Sequence, residues 1–343
     1  MKKYFVFLLL VAVIGVAFLG YTRGADFIPP LKETQESVSE LDDKIANVWE
    51  VKAPLPTART EITAAVLNGE VYVIGGFDGF GRTSTAVEVY NPKDNSWRRA
   101  PDLPEGRHHA AAAVVHNTLY LIGGYYGTTF SPRADVFEFD TETPVYNRTT
   151  PNQSPWKHVA PLPIARGALA AAVISDKIYV IGGVEESGLS GRLEVYNPAF
   201  NKWERLTDMP TPRDHLAAGV LNDKLYVAGG REQSLSKNLA VLEIYDPRTD
   251  TWTKGPELPT ARGGVAGASF DDAFVIFGGE EPTKTFDETE AYFLTLERWV
   301  PLEPLPTPRH GLAAARVGDT IFVIGGGKQP GLSVSGVNEA IKP

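Results

Sequence analysis

Cysteine is missing from all 343 residues of the chain. That excludes disulfides, thiolate metal sites, cysteine nucleophiles and any cofactor linked through cysteine. Positive charge is also short where a nucleic-acid reader would need it. The formal net charge is -9 and no block of Lys and Arg stands in the body of the chain, whereas phosphate contacts require a basic face; no nucleic-acid partner is expected. Histidine occurs six times, at 108, 109, 116, 158, 215 and 310, and never at His-x-His or His-x-x-x-His spacing. Such spacings bring two imidazoles to one ion from a single element, so neither a metal nor a cofactor is expected. Long hydrophobic runs are limited to one, the 17 residues YFVFLLLVAVIGVAFLG behind Lys2 and Lys3.

What the chain has is repetition. Gly-Gly stands at 75–76, 123–124, 182–183, 229–230, 278–279 and 325–326, each time after four residues of strand type: VYVI, LYLI, IYVI, LYVA, FVIF and IFVI. The intervals are 48, 59, 47, 49 and 47 residues, and two further marks keep them: Trp49, Trp97, Trp156, Trp203, Trp252 and Trp299, then Arg59, Arg107, Arg166, Arg213, Arg262 and Arg309. Self-similarity at roughly 40 to 50 residues, built of strands, marks a propeller with one four-stranded blade per repeat. The expected fold is therefore all-β, a six-bladed β-propeller of four-stranded antiparallel blades over residues 49–343. A repeat array grows by adding units, so this is one domain rather than several.

Within the first unit, Ile62 to Leu67 reads as a strand, Leu67-Asn68-Gly69-Glu70 as a hairpin turn and Val71 to Ile74 as the return. Val87 to Tyr90 follows as a third strand and Trp97 opens a fourth. Pro-Leu-Pro-Thr-Ala-Arg and its variants carry the chain onward, with proline blocking ladder pairing between neighbouring sheets. The hydrophobic tetrad, the double glycine, a spaced Tyr (Tyr90, Tyr196, Tyr245, Tyr292, with Phe139 and Ile341 as departures) and the Trp together resemble the kelch repeat family over residues 49–343. The resemblance implies a β-propeller. Some kelch-type propellers are copper radical oxidases that need a cysteine–tyrosine crosslink, which this chain cannot make. The last unit ends at Pro343 without a Trp strand, while Trp49 to Ala53 is a fourth strand lacking its first three. The N-terminal strand is expected to close the ring on the C-terminal blade, since an open ring would expose ladder groups.

Antiparallel pairing puts the post-glycine loops on the same face as the repeated arginines. That top face gathers Phe77, Tyr125, Tyr126, Glu185, Arg231 and Glu280, with His108 and His109 beside Arg107. Six arginines around an axis could hold an anion. A glutamate recurs on the third strand as Glu88, Glu194, Glu243, Glu290 and Glu339, which could equally neutralise them in structural pairs. In blade two Phe137 stands where that glutamate belongs, so Arg107 is the arginine expected to be free for ligand. The candidate ligand-binding set is Arg107, His108, His109, Tyr125, Tyr126, Arg59, Arg213, Arg231, Arg309, Glu185 and Glu280, with no residue assigned as catalytic. Double glycine and Trp are read as structural, through positive φ, close backbone approach and packing between blades.

Residues 1–23 read as a signal anchor or transmembrane segment, and 24–48 as a linker with a short amphipathic helix. The best-placed small residues for cleavage, Thr22 and Gly24, flank Arg23, which favours an uncleaved anchor; the propeller is then expected outside the cytoplasm, and secreted if cleavage occurs. Blade two carries an insertion between Asp140 and Trp156 with two sequons, at Asn147 and Asn152. Two functions follow. The first is a monomeric, membrane-tethered module binding a protein or an acidic glycan through its top loops. The second, implied by similarity to the sialic acid mutarotase among kelch propellers, is an enzyme moving protons on an acidic sugar, with an Arg on the carboxylate and a Glu or His as acid/base.

Overall fold

The computed structural model describes residues 48–139 and 154–343. The membrane segment, nearly all of the linker, and the blade-two insertion with Asn147 and Asn152 lie outside the described residues; among those described, no helix is long and apolar enough to cross a membrane.

Six four-stranded antiparallel sheets repeat one order; in the first five blades each of the four strands bonds to the next along the chain, and in the last the fourth strand comes from the N-terminal end of the described residues. In blade one these are Thr63–Leu67, Glu70–Ile74, Val87–Asn91 and Ser96–Arg99. The first strands are neighbours around the ring, and their sequences explain how six of them converge: TAAVL, AAAVV, AAAVI, AAGVL, AGASF and AAARV are rich in alanine and glycine. Small side chains such as Ala64, Ala112, Ala171, Ala218, Gly267 and Ala314 line the channel between them. The second strands are buried almost throughout and sandwich between neighbouring blades, so the core consists of six clusters, each shared by two adjacent blades.

The ring closes as the sequence predicts. Glu50–Val51 is the fourth strand of the last blade, with Glu50 opposite Ala340 and Val51 opposite Glu339. Beyond it, Lys52 N–H donates to Asn338 O at 2.9 Å and Leu55 N–H to Gly336 O at 2.8 Å. The strand is shorter than Trp49 to Ala53 because Ala53 turns to neighbouring side chains: its N–H donates to Asn95 Oδ1 at 2.8 Å and its carbonyl accepts from Trp97 Nε1 at 2.8 Å. That last bond is one of six. Each Trp indole donates to a carbonyl at the exit of the preceding blade, from Trp49 to Glu303 O at 3.0 Å round to Trp299 to Pro256 O at 2.9 Å.

The double glycines perform the matching task on the inside. Gly76 N–H donates to the carbonyl of Arg107, the repeated arginine of the next blade, at 2.7 Å, and the pattern runs round to Gly326 with Arg59 at 2.9 Å. Gly75 has φ of +64°, and a Cβ there would sit 2.2 Å from Arg107 O. Only glycine allows this approach.

Candidate functional site

The residue after each repeated arginine bridges the residue after each double glycine: Thr60 to Phe77, His108 to Tyr125, Gly167 to Val184, Asp214 to Arg231, Gly263 to Glu280 and His310 to Gly327. This ladder fixes the top face as the sequence assigns it.

The arginines themselves, however, do not open onto that face. All six are buried, at 0–1% exposure. Arg59 reaches Glu88 at 2.7 Å, Arg166 Glu194 at 2.6 Å, Arg213 Glu243 at 2.5 Å, Arg262 Glu290 at 2.5 Å and Arg309 Glu339 at 2.7 Å. Four of the glutamates take a second bond from a threonine two residues before the arginine: Thr57, Thr211, Thr260 and Thr307. Burial pulls each of these five guanidiniums below its ordinary pKa while the paired glutamate lifts it. Arg59, Arg213 and Arg309 are therefore buried, glutamate-paired struts rather than free cations.

Arg107 corrects the expectation more sharply. Phe137 does take the glutamate's place, with the guanidinium carbon 5.6 Å from its ring centre, yet Arg107 is not free. Glu105 stands where four of the other blades carry Thr57 and its counterparts, and it pairs with Arg107 on one side while Asp135 pairs at 2.9 Å on the other. Blade two moves the carboxylate from the strand to the linker.

Two residues beyond the arginine, the chain does something different. Glu61, His109, Ala168, His215, Gly264 and Gly311 all have positive φ, between 51° and 72°. They are joined in succession: His109 N–H donates to Glu61 O at 3.0 Å, Ala168 to His109 at 2.9 Å, His215 to Ala168 at 3.1 Å, Gly264 to His215 at 3.1 Å and Gly311 to Gly264 at 2.9 Å, and the ring closes one residue on, through Ile62 N–H to Gly311 O at 3.4 Å. A left-handed backbone at a non-glycine residue costs on the order of 1–2 kcal/mol. It is retained here at a glutamate and two histidines, which line a cavity of about 80 Å³ at the mouth of the channel.

Around that mouth runs one connected polar chain. Asp214 Oδ2 holds His215 Nδ1 at 2.5 Å. Arg231 lies 3.8 Å from Asp214 and 2.8 Å from Glu280. His310 Nδ1 stands between two carboxylates, 3.4 Å from Glu280 and 3.3 Å from Glu61 Oε1. Glu61 Oε2 faces His109 Nε2 at 3.1 Å, and His109 Nδ1 meets His108 Nδ1 at 2.6 Å. Burial works to raise the Glu61 carboxyl, but His109, the close His310 and His215 together hold it well below the ordinary range. Burial drives His109 well down despite Glu61 and takes His108 to about 4. For His310 burial is outweighed by Glu61 and Glu280, and its pKa is raised.

Of the sequence-predicted residues, His108, His109, Arg231 and Glu280 come together here. Tyr125 backs them, buried against both histidines with ring centres 5.5 and 5.6 Å apart, and packed so tightly on Gly167 that a Cβ there would lie 2.4 Å from its ring. Tyr126 points outward, 44% exposed, under Arg133. Glu185 is spent within its own loop on Arg192 at 2.8 Å and Ser190 at 2.6 Å. Sequence reasoning left Glu61, Asp214, His215 and His310 out of the candidate set, although a signal for them exists: they are the polar residues at the two positions after a strictly repeated arginine.

Two family profiles match the chain, a KLHDC2/KLHL20/DRC7 Kelch-repeats domain over residues 150–326 and the Kelch motif over residues 58–104 and 106–148. The chain belongs to the kelch-repeat family. Kelch propellers generally serve as protein-binding modules. On this kelch propeller the loops available to a partner are unequal. The large exposed apolar side chains of the top face are Phe80, Tyr126, Phe130 and Leu332, from blades one, two and six, whereas the loops of blades four and five present Glu232, Lys237, Glu281 and Lys284.

Proposed function

We propose that this kelch propeller is a recognition module whose top face docks a protein partner on the apolar crescent formed by blades six, one and two. The crescent is the observation that carries the proposal. Phe80 is 83% exposed, Leu332 62%, and Phe130 and Tyr126 44% each. The three loops are knitted together: Thr83 Oγ1 accepts from Gly127 N–H at 3.0 Å, the Phe130 ring lies 5.9 Å from Phe77, and Gly81 lies against Leu332. Exposed apolar side chains on neighbouring loops of one scaffold are the kind of surface that protein interfaces use for their anchoring residues.

An acidic glycan or sugar acid is the weaker ligand. It needs a cation to hold its carboxylate, yet the six repeated arginines are buried and Arg231 is already engaged by Glu280. The same proposal includes a membrane tether through residues 1–23 with the propeller outside the cytoplasm, supported by the 17-residue apolar run behind two lysines.

Affinity capture on the full chain, comparing wild type with a Phe80→Asp, Phe130→Ser double variant of matched melting temperature, tests the docking face. Loss of a specifically captured protein in the variant is expected. Capture of the same proteins by both would remove the crescent from the interface.

A further inference from the structure

The axial cluster lies beneath the docking crescent, whose Phe130 ring stands 5.0 Å from His108 and 5.7 Å from His109, and its atoms are arranged for something smaller. Glu61, His109 and His215 each offer a donor atom, and the three lie within 4.8 Å of one another. Two ligands of one tetrahedral zinc-like ion stand roughly 3.4 Å apart, given bonds of about 2.0–2.2 Å; Glu61 Oε2 and His109 Nε2 are at 3.1 Å. His215 Nε2 is buried without a hydrogen-bond partner among the described residues, and it belongs to a ring that lines the cavity.

Both imidazoles are also held from behind on their other ring nitrogen: Asp214 grips His215 Nδ1 and His108 sits on His109 Nδ1, while His310 Nδ1, without a hydrogen-bond partner among the described residues, lies 3.3 Å from Glu61 Oε1. Outer partners of this kind orient metal-ligating histidines and fix their tautomers. Asp214 is secured in turn by Gln233 N–H at 2.8 Å, and Glu280 by Gly331 N–H at 3.0 Å. Charge points the same way. Three carboxyl groups, Glu61, Asp214 and Glu280, stand around a single guanidinium, Arg231.

We propose that Glu61, His109 and His215 bind a divalent transition-metal ion at the mouth of the propeller channel. Two imidazoles and one carboxylate suit Zn²⁺, Fe²⁺ or Co²⁺ rather than Mg²⁺ or Ca²⁺, which take all-oxygen ligand sets. Three protein ligands leave a fourth position for water or a ligand. The absence of metal-ligand spacing in the sequence is accounted for, because the donors come from blades one, two and four.

The test is titration of the chelator-stripped full chain with Co²⁺, followed by visible d–d absorption, together with metal stoichiometry by mass spectrometry. One ion per chain is expected. His109→Asn and His215→Asn keep a residue that tolerates the left-handed backbone, and with Glu61→Gln they should weaken binding roughly 100-fold or more; Asp214→Asn should weaken it by about 10- to 100-fold. His116→Ala, at an exposed pair with Asp176, should leave binding unchanged. Circular dichroism and melting curves confirm that each variant is folded. The assignment is overturned if the wild type binds no stoichiometric metal at millimolar Co²⁺. It is equally overturned if the His109 and His215 variants bind as well as wild type, or if His310→Gln alone abolishes binding.

Discussion

Arg213 and His215 stand two residues apart in blade four and share little beyond the chain between them. Arg213 is fully buried, bonded to Glu243, to the carbonyls of Thr211, Gly229 and Val227, and copied in every other blade. His215 holds a strained left-handed backbone, keeps Nε2 unpartnered among the described residues, and corresponds to Glu, His, Ala, Gly and Gly elsewhere. At the arginine position the ring needs a particular side chain. Two residues later it needs only a backbone shape, which leaves the side chain open to specialise. Repetition therefore marks what holds the propeller together, and departure from repetition marks where its chemistry sits.

The largest effects should fall on the repeated position and should differ between blades. Arg262→Ala leaves Glu290 buried beside a void, and removing one partner of a buried ion pair costs about 3–5 kcal/mol. Arg107→Ala leaves Glu105 and Asp135, whose side chains are 38% and 37% exposed, so its cost should be roughly 1–3 kcal/mol. Urea unfolding measures both, and equal losses would erase the distinction of blade two.

A smaller effect lies in blade three, where Ile164 replaces the threonine that bonds the glutamate in four other blades. Burial raises the Glu194 pKa above 4.5, with Arg166 opposing. A carboxyl raised in the folded state costs stability as pH rises from 4.5 through its folded value. Ile164→Thr restores a hydroxyl donor, so it should stabilise by about 1 kcal/mol at neutral pH. The gain should vanish at pH 4.5 and below, and a pH-independent gain would mean the hydroxyl bonds elsewhere.

The smallest expected change is at Ala168, which has φ of +55° and no polar role. Ala168→Gly relieves strain while loosening the unfolded chain, so thermal melting should show stabilisation of about 1 kcal/mol or less. A clear loss would show that the alanine methyl, not the backbone, matters at that point of the ring.

Much of this architecture is legible in the order of the residues alone. Glycine pairs, tryptophans and tetrads keep the same succession of intervals because each does one geometric task per blade, and the missing last strand points to Glu50–Val51 closing the ring. The glutamates opposite the arginines are legible as well, down to Phe137 in blade two. Glu105 is not, because a carboxylate supplied by the linker keeps no register with one supplied by a strand. The axial site is only half legible: its residues follow the repeated arginines, but nothing in their order shows that they meet. Glu61, His109 and His215 are separated by 48 and 106 residues, and only the closed ring brings them together.

The most direct test compares the two positions within one blade. In metal-free buffer, equilibrium urea unfolding of Arg213→Ala and His215→Asn should show a loss of about 3–5 kcal/mol for the first and about 1 kcal/mol or less for the second. Equal losses, or a larger one at His215, would contradict the division between a buried scaffold ring and an axial site.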